Sequence, residues 1–106
     1  MINRTDITVL LPALERELKA AALWQAQRPD DQYLQSTEPF SLDTLHPHEW
    51  LQWIFLPRMQ QLLVDQSSLP KSILLSPYFD EVWKEHAQYQ AILTVLHQID
   101  KAVASC

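Results

Sequence analysis

Apolar positions recur along this chain at helical rather than strand spacing. Ile7, Leu10, Leu11, Leu14, Leu18 and Ala21 line one face of a 3.6-residue repeat. They predict a first helix over 7–24, ending in Leu23-Trp24, with Thr5 or Asp6 as N-cap. Pro12 lies inside it. Without an amide N–H it deletes the bond to the Thr8 carbonyl, which predicts a kink or a later start. A second helix is predicted over 47–64. His46 caps it, Pro47 takes the first helical position, and Glu49 sits in the first turn, where the helix dipole favours an acid. Trp50, Leu51, Trp53, Ile54, Phe55 and Leu56 point in nearly every direction around this helix, and Gln52 alone interrupts them. Such a helix reads as enclosed by protein, either central in a bundle or covered by a subunit. Pro57 predicts a bend.

A third helix starts at Pro77 with Ser76 as N-cap, and Phe79, Val82, Trp83 and His86 share its face. Ile92, Val95, Leu96, Ile99 and Val103 define a fourth. The two stripes differ in direction by roughly 120°, so one straight helix is excluded and a break is predicted over 85–88. Residues 67–75 read as a turn, with one helical turn at Pro70. Between the first two helices, 25–45 has no sustained period and contains Arg28-Pro29 and Glu38-Pro39. At about twenty residues it is long for a compact domain, and such loops are commonly functional. Tyr33, Leu34, Phe40 and Leu42 give it apolar anchors. The fold class is therefore all-α: a four-helix bundle-like array with a long irregular loop between the first and second helices. Residues 1–106 read as a single helical domain.

Composition narrows the function. The chain has no glycine, where average usage of about 7% predicts roughly seven. That excludes a P-loop, a dinucleotide fingerprint and a glycine nucleophile elbow, and it argues against tight β-hairpins. With 47% hydrophobic residues the chain can build a core unaided. Eight basic and 13 acidic residues give a net charge of −5. Phosphate neutralisation supplies most non-specific nucleic-acid affinity, so direct nucleic-acid binding is not expected and a protein partner is. The single cysteine, Cys106, has no intramolecular partner. Charges surround the apolar run near the start, and no apolar stretch approaches membrane-spanning length, so the expectation is a cytoplasmic protein away from the membrane.

The run TEPFSLDTLHPHEWLQWIFLPRM, over 37–59, together with Leu23-Trp24 and the later LP…SPYF segment, resembles the YqcC-like family of small bacterial proteins. The resemblance spans nearly the whole chain. It is most specific at Thr37, Pro39, Phe40, Asp43, Thr44, Pro47, Glu49 to Trp53 and Pro57 to Met59. It implies an all-helical bundle. Members of the family look to be encoded near a tRNA pseudouridine synthase, which implies an accessory role. The family brings no assigned reaction and no catalytic residue.

Each candidate constellation has a structural reading beside the functional one. His46, His48 and Glu49, with Asp43 nearby, resemble a metal cluster. Adjacent helical positions diverge by about 100°, so these side chains converge poorly and neither metal nor cofactor is expected. Arg58 lies on a largely apolar helix, where an unpaired guanidinium is costly. Asp43 or Glu38 is expected to reach it and pin the loop, unless Arg58 holds an anionic ligand. Phe40, Trp50, Trp53 and Pro57 form either core or an aromatic recognition patch, and a homodimer through the second helix would satisfy both. No serine has a base and orienter, and Cys106 sits on a tail, so an enzyme is not expected. The reading is a small cytoplasmic interaction module. It would dock a protein, such as an RNA-modifying enzyme, through Phe40, Asp43, His46, Trp50, Trp53 and Arg58. The alternative is a small-molecule or anion-binding bundle, with 25–45 as lid and Arg58, His46 and Asp43 as polar contacts.

Overall fold

A computed structural model describes residues 4–67 and 74–104, and no strand occurs among them. The chain runs α1 (Arg4–Ala20), α2 (Asp31–Leu34), a 3-10 turn at Pro39–Ser41, α3 (Pro47–Trp50), a π-helical turn (Leu51–Phe55), α4 (Leu56–Val64), α5 (Ser76–Val82), a 3-10 turn at Ala87–Tyr89 and α6 (Gln90–Ala104). The stripe of α1 is fully inward: Ile7, Leu11, Leu14 and Leu18 are buried. It packs chiefly on α6, whose Ile92, Leu96, Ile99 and Val103 are equally buried, and also on α4. Each such side chain contributes about 1.5–3 kcal/mol on leaving water. The all-α class is thus the observed one, and the break between the third and fourth predicted helices is present.

Several boundaries differ from the sequence reading. Helix α1 is already formed at Arg4, the first described residue, so Thr5 and Asp6 lie within it rather than at the cap. Pro12 stands on the exposed face and the helix continues through it. The end comes at Ala20, before Leu23-Trp24. There Ala22 adopts φ 62°, the Leu23 N–H donates to the Leu18 carbonyl at 2.9 Å, and the Ala22 N–H to Lys19 at 3.0 Å. The same closure ends α4. Gln66 has φ 56°, and the Ser67 N–H donates to the Leu62 carbonyl at 3.0 Å. Left-handed residues end helices in this way because they satisfy otherwise unpaired carbonyls. Glycine normally holds these positions. A chain without glycine places Ala22 and Gln66 there, at about 1–2 kcal/mol each.

The second helix is not enclosed on all sides. Leu51, Gln52, Phe55, Leu56 and Met59 are buried, but Trp50, Trp53 and Ile54 are half-buried, and Pro57, Arg58, Gln60 and Gln61 are exposed. The physical reason is the π-turn. The Leu56 N–H donates to Leu51, five residues back. The inserted residue rotates the helix relative to a 3.6-residue wheel and accommodates Pro57, which has no N–H to offer.

Helix α5 also departs from expectation. Leu75, not Ser76, occupies its N-cap, and the capping group comes from α6. The carboxylate of Asp100, 8% exposed, accepts the Leu75 N–H at Oδ1 and the Ser76 N–H at Oδ2, each at 2.8 Å. Of the predicted face, Phe79 and Trp83 are buried. Val82 and His86 are exposed because the helix stops at Val82. The turn expected at Pro70 lies outside the described residues.

Two outcomes follow. Asp100→Ala leaves two buried N–H groups unpaired and is expected to lose about 2–4 kcal/mol, read as a lower urea midpoint; an unchanged midpoint would contradict the buried cap. Ala22→Gly and Gln66→Gly, which relieve left-handed strain, are each expected to add about 0.5–1 kcal/mol, measured in the same titration.

Candidate functional site

The site begins with one buried polar side chain. Gln52 is 5% exposed on the π-turn. Its Nε2 donates to the Gln25 carbonyl and its Oε1 accepts the Gln25 N–H, both at 2.8 Å. This reciprocal amide pair fastens the chain leaving α1 to the second helix. The Gln25 side chain continues the network. Its Oε1 accepts the Trp53 indole N–H at 2.8 Å, and its Nε2 donates to Glu49 Oε2 at 2.9 Å. Glu49 Oε1 in turn accepts the His46 N–H at 2.7 Å, half of a capping box at the start of α3.

Two ionisable groups at the start of α3 are shifted. Burial pushes the His48 imidazole below its ordinary 6.5, with Glu49 opposing and His46 adding to the shift. For Glu49, burial favours the neutral acid, but the bonds from His46 and Gln25 and the neighbouring imidazoles outweigh it. Its carboxyl lies below the ordinary 4.5.

The other half of the long loop forms a separate rim. Thr44 Oγ1 donates to the Tyr33 carbonyl at 2.7 Å, the Ser36 hydroxyl to Asp43 Oδ1, and the Glu38 N–H to Ser36 Oγ at 3.0 Å. Phe40 holds φ 57° and Ser41 φ 49°. That strain is retained because the Phe40 ring is wedged in place. It stacks on Tyr78 (4.2 Å between centroids, 4° between planes) and meets Trp50 edge-on at 4.9 Å. Between this rim and the second helix lies an open groove of about 430 Å³ lined by Leu34, Glu38, Trp50, Ile54, Arg58 and Met59, among others. A second groove of about 420 Å³ lies on the Trp53 side, with Trp24, Gln25, Pro57 and Glu15 in its walls.

The predicted residues therefore divide between two places. Phe40, Asp43, Trp50 and Arg58 gather at or beside the first groove, whereas Trp53 belongs to the Gln25 network. His46 is exposed and stacks on His48, 5.8 Å between centroids. The expected pin is absent: Asp43 bonds to Ser36, and neither Asp43 nor Glu38 forms an ion pair with Arg58 among the described residues. The cost that motivated the pin does not arise, because Arg58 is exposed. Loop attachment falls instead to Gln25 and Gln52, which the sequence reading passed over. The signal was available: Gln52 is the sole polar residue in an apolar run.

A family model described as "tRNA pseudouridine synthase C" matches residues 6–102. Protein YqcC of Escherichia coli is 34% identical over 105 residues, covering 98% of this chain and 96% of that protein. Its solution NMR structure superposes with a TM-score of 0.85 over 98% of this chain and 90% of that one. The chain belongs to the YqcC-like family. An "Uncharacterized protein" of Haemophilus influenzae is 43% identical over 91 residues, 86% of each chain. The "tRNA pseudouridine synthase C" of Pectobacterium carotovorum subsp. carotovorum is 46% identical over 84 residues, 79% of this chain but 22% of that protein. The YqcC-like sequence thus recurs as a minor part of a longer polypeptide.

These two groups, His48 and Glu49, act with the same sign. His48 and Glu49 have folded values below their unfolded ones, so the unfolded chain takes up protons first and stability falls as pH falls. Full stability is expected above 6.5, a first decline below it as unfolded His48 protonates, and a further one below 4.5 from Glu49. Urea midpoints across this range, with His48→Gln as comparison, should show the first decline reduced in the variant. A midpoint that rises on acidification through 6.5 in wild type relative to the variant would contradict the sign.

Proposed function

We propose that the chain is an accessory interaction module that docks on a protein partner, a tRNA pseudouridine synthase, through the face formed by the loop rim and the second helix. The Pectobacterium relative carries the reading: there a segment 46% identical to this chain is part of a polypeptide bearing the synthase name. A module joined covalently to its partner in one bacterium is a natural binding partner when it is a separate chain. The geometry supports the same face. Trp50, Ile54 and Arg58 lie along one groove, Trp53 and Pro57 along the other, and Trp and Arg dominate interface hot spots. In this reading the chain performs no chemistry itself. It works in the cytoplasm, where it positions or stabilises the enzyme. The anion-pocket alternative has less support, because Arg58 is exposed in an open groove and the 25–45 loop is fastened at both halves. No helix among the described residues is long and apolar enough to cross a membrane.

The test mixes the purified chain with the tRNA pseudouridine synthase C of the same bacterium. Calorimetry is expected to give a dissociation constant of roughly 0.1–10 μM. Ile54→Ser should weaken binding by about tenfold, or 1.4 kcal/mol, with unchanged circular dichroism. Absence of complex at high micromolar concentration, with both proteins folded, would overturn the proposal.

A further inference from the structure

From Pro29 to Pro57 the sequence has five acidic residues and no lysine or arginine. The fold deploys them unequally. Glu49 is turned inward to Gln25 and His46, and Asp31 pairs with Arg28. Glu38 and Asp43 are left exposed on the rim of the first groove: Glu38 lines it, and Asp43 is bonded to Ser36, which also lines it. Behind them the groove presents Leu34, Trp50, Ile54, Phe55 and Met59. Tyr33 and Leu42, 43% and 56% exposed, lie on the same loop. The left-handed pair Phe40 and Ser41, wedged against Tyr78, fixes the rim before any partner arrives. Preorganisation of this kind lowers the entropy cost of docking.

An apolar groove with a carboxylate rim selects its occupant by charge. Nucleic-acid phosphates and anionic lipid headgroups are repelled. A second copy docked by a twofold axis on this groove would bring four rim carboxylates into one interface against two Arg58 guanidiniums, leaving an excess of like charge. A lysine- or arginine-bearing segment is attracted and can bury a large apolar side chain over Trp50 and Ile54. Arg58 sets the register. As the groove's own cation it repels a basic residue above it, so the partner's charge falls beside Glu38 and Asp43.

We infer that this groove is the docking site for a basic amphipathic segment of the partner protein, anchored by an apolar side chain between Ile54 and Trp50 and steered by Glu38 and Asp43. The inference rests on the reading of this face as an interface and adds the chemistry of what it holds.

The probe is a fluorescein-labelled, acetylated helical peptide of leucine and lysine, with a leucine–glutamate peptide as counterpart, followed by anisotropy. The lysine peptide should bind, weaken at least tenfold with Glu38→Lys/Asp43→Lys or with Ile54→Ser, and weaken again between about 50 and 300 mM salt. Glu81→Lys/Glu85→Lys makes the same change in net charge on α5 and the turn after it. It should leave binding within about twofold, which separates the groove from general attraction to an acidic protein. Equal losses from the two charge reversals, equal binding of the glutamate peptide, no effect of Ile54→Ser, or sedimentation as a dimer blocked by Glu38→Lys/Asp43→Lys would each overturn the inference. A synthase complex indifferent to Glu38→Lys/Asp43→Lys defeats this inference and leaves the proposed partner standing. Groove-specific peptide binding without any synthase complex does the reverse.

Discussion

The structure depends on the reciprocal amide pair between Gln52 and the backbone of Gln25. It joins positions 27 residues apart, at the one place where the apolar second helix carries a buried polar side chain. A glutamine amide in such a setting is costly unless both its ends are satisfied. Here both are, by a single backbone residue that would otherwise belong to an unanchored loop. The pair therefore solves two problems together: it satisfies Gln52 and it fixes where the chain goes after α1. Trp53 and Glu49 then add bonds to the Gln25 side chain, so one residue ties the π-turn and α3 to the loop.

The π-turn is the second constraint, and it follows from Pro57. A helix cannot pass a proline without giving up a bond. This one does so by widening a turn just before it. The consequence reaches the surface: the residues that an ideal wheel scatters evenly are sorted into an inner set and a half-exposed set. Trp50, Trp53 and Ile54 fall in the latter. π-turns are enriched at functional sites for this kind of reason, since they redirect side chains without ending the helix.

Much of the fold was legible in the sequence, and the exceptions share a physical origin. The spacing of Ile7 to Leu18 and of Ile92 to Val103 found α1 and α6 because both are long and bury one face. The break before α6 was legible because two stripes cannot share one rod. Helix ends were less so. Without glycine the usual stop signal is missing, and nothing local marks Ala22 or Gln66 as left-handed. The cap of α5 was illegible because its acceptor, Asp100, lies 24 and 25 residues away from the amides it holds. At the candidate site, Phe40, Asp43, Trp50 and Arg58 do meet around one groove. The ion pair imagined between Asp43 and Arg58 failed because the wheel took Arg58 to be enclosed. The residues that do fasten the loop were hidden by their neutrality: a glutamine gives no charge to follow, only an interruption in an apolar pattern.

Helix α5 has seven residues, far fewer than a helix needs to persist alone in water. Its leading amides are held by a side chain from the last helix of the chain. Phe79 and Tyr78, which close the aromatic cluster behind Phe40, ride on that short helix. The rim of the groove is thus tied, through Tyr78 and Phe79, to a bond made by α6. A weakened bond at Asp100, which lines neither groove, is therefore transmitted to the recognition face through the Tyr78 ring stacked on Phe40.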